Sequence, residues 1–176
     1  MSMTFAARLQ LALSQLDQAS HTTGKGMRLQ QVMELVINAA PGFTVVDRNK
    51  LDMPKSAEVD LWISHDRRPT IPFIDPLVPI ECKNEEGRAS ASQIRDFAGK
   101  IQATGGADGL LVARKGLSGE GLESAHNAIH SWLNNGIRIL VVTGNDLSNL
   151  RKPSDFAPLL KERYVELRLN RTYVTL

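Results

Sequence analysis

Apolar positions open the chain at helical spacing: Phe5, Leu9, Ala12, Leu13 and Leu16 share one side of a 3.6-residue repeat. An amphipathic helix within residues 1–20, packed on the domain or on a partner, is the expectation. The segment does not read as a targeting peptide. Arg8 alone precedes its apolar stretch, Gln10 and Gln15 interrupt that stretch, and no small-residue cleavage site follows. The residues His21-Thr22-Thr23-Gly24 read as a break. Leu29, Val32, Met33, Val36 and Ile37 then predict a second helix over about 25–39, stopped by Pro41-Gly42.

Beyond Gly42 the period changes. Residues 43–46 form a short β-prone run, and 58–63 alternate polar with apolar side chains, so both are predicted strands. Three prolines and paired arginines mark 64–76 as an exposed loop. A strand is expected at 77–83, then a helix from Ser90 to about Thr104, where Ser90-x-x-Gln93 spells a capping box. Gly105-Gly106 ends it. Residues 109–113 and 137–142 are apolar enough for buried strands, separated by a helix near 122–134 that stops at Asn135-Gly136. A short helix around 146–150, strand-like character at 164–169 and a last strand-like segment at 172–176 complete the chain. The order ααβββαβαβ predicts an α/β sandwich around a mixed sheet.

Composition narrows the function classes. A length of 176 residues suits one domain, an N-terminal helix at 1–20 joined to a domain over 21–176, with enough chain to bury a full core. The single cysteine, Cys82, excludes an internal disulfide framework and multi-cysteine zinc sites. No apolar run approaches the roughly 20 residues of a membrane span, so a cytoplasmic protein is expected. The formal charge of +2 permits a nucleic-acid partner without demanding one.

The chemistry concentrates in Asp60 and in Glu81-Cys82-Lys83. Side chains at i and i+2 of a strand share a face, so Glu81 and Lys83 project together while Val78, Ile80 and Cys82 turn to the core. Asp60 sits opposite Val59 and Leu61 on its own strand. If the strands are neighbours, Asp60, Glu81 and Lys83 meet in one cleft. Two close carboxylates repel unless a cation separates them. Oxygen ligands in that number suit Mg²⁺ or Mn²⁺, and the peptide carbonyl of Cys82 borders the same cleft as a further candidate ligand. A lysine beside them can orient or deprotonate an attacking water and stabilise developing charge. The plain alternative is that Glu81 and Lys83 are solvated charge on an exposed strand. Against it stands the apolar run from Leu77 to Ile80, which suggests a central strand; Pro79 points instead to an edge or a bulge.

Taken with their order, these stretches resemble the PD-(D/E)xK nuclease superfamily, and within it the restriction-endonuclease-like, Mrr-type branch. Gly26-Met27-Arg28-Leu29-Gln30-Gln31-Val32, Glu58-Val59-Asp60-Leu61, Pro79-Ile80-Glu81-Cys82-Lys83-Asn84 and Gln93 through Lys100 carry the resemblance. The runs Gly109 to Ala113 and Gly136 to Val142 match the family's later core strands, so the likeness spans about residues 24–150. It implies a restriction-endonuclease-like sandwich and a Mg²⁺-dependent endonuclease, with Mn²⁺ as substitute, acting on DNA, RNA remaining open. It further implies Asp60 and Glu81 as metal ligands, Lys83 as the catalytic lysine, and Gln93 as a contact to the site or to the nucleic-acid backbone. One departure is plain: where relatives often carry glutamate, in the pattern G-x-x-L-E, this chain has Gln30. Glu34, one helical turn on, is the candidate replacement acid.

Arg67, Arg68, Arg95, Lys100 and Lys115 are candidate phosphate contacts, with solubilising surface charge as the ordinary alternative. Gln93 likewise has its capping duty as a sufficient explanation. With no separate recognition domain in the sequence, target choice is expected from a homodimer or a partner protein. The alternative function is a catalytically silent nuclease-fold module that binds nucleic acid or protein. His126 and His130 lack the glutamate between them that a zinc-protease helix needs, and the glycine clusters lack phosphate-loop spacing.

Overall fold

The computed structural model describes residues 3–16, 22–51, 58–66, 71–119 and 124–169. Its strands are β1 (Phe43–Leu51), β2 (Glu58–His65), β3 (Leu77–Lys83), β4 (Asp108–Ala113) and β5 (Arg138–Thr143). They form one sheet in the order β1-β2-β3-β4-β5. The first three are antiparallel neighbours and the last three parallel ones. Parallel neighbours need a crossover, and α3 (Ala91–Ala103) and α4 (Ala125–Asn134) supply it. The remaining helices are α1 (Phe5–Ser14), α2 (Thr22–Ala39), α5 (Gly144–Asn149) and α6 (Phe156–Arg168), the last entered through a 3-10 turn at Pro153–Asp155. The expected α/β class and mixed sheet are therefore present.

Each sheet face is covered by a helix whose apolar stripe the sequence supplies. On the α3 side, Gly109 brings the backbone against the helix: a Cβ there would lie 2.3 Å from Ile101 Cδ1 and 2.8 Å from Phe97 Cζ. Only glycine fits so close an approach. The opposite face presents Leu61, Ile63, Val78 and Ile80, all buried, and α2, which contacts β1, β2 and β3, covers it with Leu29, Met33 and Ile37. Each such fully buried side chain contributes roughly 1.5–3 kcal/mol before chain entropy is subtracted. Strand β4 is buried at all its positions, as a central parallel strand should be. The N-terminal helix belongs to the same core. Thr4 caps it, and Phe5, Leu9 and Leu16 are buried where it meets α2 and α5.

Several boundaries differ from expectation. Thr22 to Gly24 belong to α2 rather than to a break. Strand β1 runs on to Leu51 past an irregularity between Val45 and Asp47, and Ser64 and His65 extend β2. The larger correction concerns 164–169. Tyr164 to Arg168 are the end of α6, because Phe156, Leu159, Leu160, Tyr164 and Leu167 keep helical spacing over a longer window than the local alternation. The segment 172–176 lies outside the described residues. Among the described residues no helix is long and apolar enough to cross a membrane.

Candidate active site

The register of β2 and β3 pairs Leu61 with Ile80 and Trp62 with Pro79. The paired register ends there, and Asp60 and Glu81 are the next residues on their strands, close enough for the Glu81 charge to act on Asp60. Asp60 Oδ2 accepts a hydrogen bond from the Cys82 backbone N–H at 2.7 Å. Lys83 Nζ lies 3.0 Å from Glu81 Oε1. The three predicted side chains are thus gathered on one side of two adjacent strands.

A fourth group joins them from α3. Lys100 Nζ donates to Glu81 Oε2 at 2.9 Å and to Oε1 at 3.1 Å, and also to the Glu58 carbonyl at 2.6 Å. The helix directs it there because Lys100 borders the stripe Ile94, Phe97, Ala98 and Ile101 that packs on the sheet. From sequence Lys100 is a phosphate contact; its pairing with Glu81 is the part that sequence reasoning missed. The available signal was a cation flanking a buried helical stripe one layer above the Glu81 strand.

Glu81 is only 6% exposed, and the electrostatics follow from that burial. Burial raises the Asp60 carboxyl above the ordinary carboxylate range and repulsion from Glu81 adds to it, against the pull of the Cys82 N–H, Lys83 and Lys100. Burial works to lower Lys83, but Glu81 and Asp60 outweigh it and hold the ammonium above its usual range. In this arrangement Lys83 is an ammonium paired with Glu81 at 3.0 Å. Burial, then Asp60 and Glu81, push the Cys82 thiol well up, so it is a neutral, inert group packed in the core. The Cys82 N–H reaches the site through Asp60, and its peptide carbonyl stays a candidate ligand.

The other candidates are placed as follows. Gln30 is buried, and its amide donates to the Asp60 carbonyl at 2.9 Å, fixing β2 to α2. Glu34 is engaged by Arg48 through two bonds, at 2.7 and 3.0 Å. Gln93 completes the capping box with Ser90, and its amide nitrogen donates to Glu85 at 2.8 Å. Arg95 and Lys115 are exposed. Arg114, which follows β4, donates to Asn84 Oδ1 at 3.3 Å and, with Lys115, lines a pocket against α1 and α5. Arg67 and Arg68 lie outside the described residues.

Among the described residues no three His, Cys, Asp or Glu side chains group as a metal cage. Two carboxylates are what the site offers. The chain matches no protein-family model, no curated protein and no solved structure.

Proposed function

We propose that the chain is a divalent-metal-dependent nuclease with the PD-(D/E)xK, restriction-endonuclease-like architecture, hydrolysing DNA phosphodiester bonds. The observation that carries the reading is the gathering of Asp60 and Glu81 where the β2–β3 pairing ends, with Asp60 held by the Cys82 N–H at 2.7 Å and the Lys83 ammonium 3.0 Å from Glu81. Carboxylates drawn together in a buried setting, one of them raised by the other's charge, are a fitting donor set for a hard cation. Mg²⁺ commonly takes only one or two carboxylates and completes its shell with water and substrate phosphate, so a full protein cage is not required. Asp60 and Glu81 would hold the ion. When bound, it supplies Lewis acidity at the phosphate.

The chain's own groups do the rest. The Cys82 N–H fixes the Asp60 carboxylate, leaving Oδ1 for a ligand. Lys83, beside Glu81 at 3.0 Å, stabilises negative charge developing on the phosphate oxygens and orients the attacking water. Exposed Arg95 and Lys115 would contact flanking phosphates, and a partner or second copy of the chain would choose the target.

A second reading is a catalytically silent nucleic-acid- or protein-binding module. It is favoured by Gln30, whose amide is committed to the Asp60 carbonyl where members of that superfamily often carry an acid. One experiment separates the two. Plasmid, single-stranded DNA and RNA are incubated with Mg²⁺, with Mn²⁺ and with EDTA. Cleavage that needs the metal and is lost in Asp60→Asn supports the nuclease. Equal cleavage in EDTA contradicts it. Salt-sensitive binding without cleavage, indifferent to Asp60→Asn, establishes the silent module.

A further inference from the structure

Both oxygens of Glu81 carry ammonium partners, one on its own strand and one on α3. Counting Asp60 and Glu81 as −2 and Lys83 and Lys100 as +2, the quartet is neutral as it stands. A dication between the carboxylates would bring this sum to +2, in a place where Glu81 is almost fully buried. With Lys83 on one Glu81 oxygen and Lys100 on the other, an ion that takes either oxygen does so in competition with an ammonium.

Lys100 is the one able to leave. It has a second anchor, the Glu58 carbonyl at 2.6 Å, and it can keep that bond while releasing the Glu81 carboxylate. Its four-carbon stem comes from a helix rather than from the strand that bears Glu81, so it can swing without disturbing β3. We infer that Lys100 is a resident cation that competes with the divalent metal for Glu81, and that metal binds by displacing it. Lys100 is then a positioning residue: it holds the Glu81 carboxylate in place before the metal arrives and sets how tightly the metal binds. The inference rests on the nuclease reading of the same site.

A merely structural Lys100, pinning α3 to the sheet, predicts the opposite response to its removal, because a loosened site binds metal less well. Mn²⁺ binding is therefore titrated by electron paramagnetic resonance on the wild type, Lys100→Met, Lys100→Gln and Glu81→Gln. Lys100→Gln retains a donor for the Glu58 carbonyl should Lys100→Met fold poorly. Competition predicts that the Lys100 variants bind Mn²⁺ roughly tenfold tighter than the wild type, and that Glu81→Gln binds weakest. It also predicts that saturating Mg²⁺ increases reductive methylation of Lys100, read by peptide mass spectrometry. Unchanged or weaker Mn²⁺ binding in both Lys100 variants, with the wild type binding normally, overturns the competition and leaves the nuclease reading in place. Methylation indifferent to Mg²⁺ does the same. Absence of Mn²⁺ binding in every protein overturns both.

Discussion

Asp108 at the start of β4 and Glu81 near the end of β3 are similarly hidden, at 1% and 6% exposure, yet their partners differ in kind. Arg138 grips Asp108 with a planar fork, Nε to Oδ1 and Nη2 to Oδ2, both at 2.6 Å. The Asp75 N–H adds a third bond at 2.7 Å, and the Asp75 carboxylate in turn accepts from the Ala107 N–H. Burial pushes Asp108 up and the Arg138 hydrogen bonds oppose it. This cluster joins β4, β5 and the segment before β3 in one fixed geometry. At Glu81 the cations are two lysines on flexible stems, and a second carboxylate, Asp60, repels from across the strand pair. An arginine fork satisfies a buried carboxylate and closes it to ligands. Paired ammoniums facing paired carboxylates are exchangeable charge.

The largest difference between the clusters should appear in catalysis. Removing Lys83 as Lys83→Ala should reduce cleavage on the order of 10²–10³-fold, while a substitution at Asp108 leaves the rate per folded molecule unchanged; plasmid nicking measures both. Stability should reverse the ranking. Asp108→Ala leaves Arg138 without its partner and should cost about 3–5 kcal/mol by urea titration.

Gly109→Ala is the intermediate case. Its methyl would collide with Ile101 and Phe97, shifting α3 and with it Lys100, at roughly 1–3 kcal/mol in the same titration. Thermal melts of Asp60→Asn across pH should show the strain in the Glu81 cluster. A carboxyl raised in the fold makes the unfolded chain lose its proton first, so stability falls as pH climbs from 3.8 through the raised value. The variant should match the wild type below that window and exceed it above. The smallest effect is expected from Arg48→Ala. This exposed partner of Glu34 should barely move melting or cleavage, and a large loss of cleavage would show that the Arg48–Glu34 pair supports the site.

Much of this arrangement was legible in the sequence because strand periodicity is strict. Once residues 77–83 are a strand, Glu81 and Lys83 must share a face and Cys82 must oppose them. The pairing of β2 with β3 could only be supposed, since register depends on tertiary packing. Lys100 was visible as a charge but not as a partner of Glu81, because its target lies in a different layer. The α6 error has a different origin: Val165, Leu167 and Leu169 mimic alternation over a few residues, and only the window from Phe156 reveals the helix.

Asp60 and Lys83 are expected to serve one reaction around Glu81. The direct measurement is a cleavage cycle in Mg²⁺ with wild type, Asp60→Asn, Lys83→Ala and the double variant. Groups acting as a unit predict a double variant no slower than the worse single one. Independent, multiplying losses, or full activity in either single variant, would contradict the account.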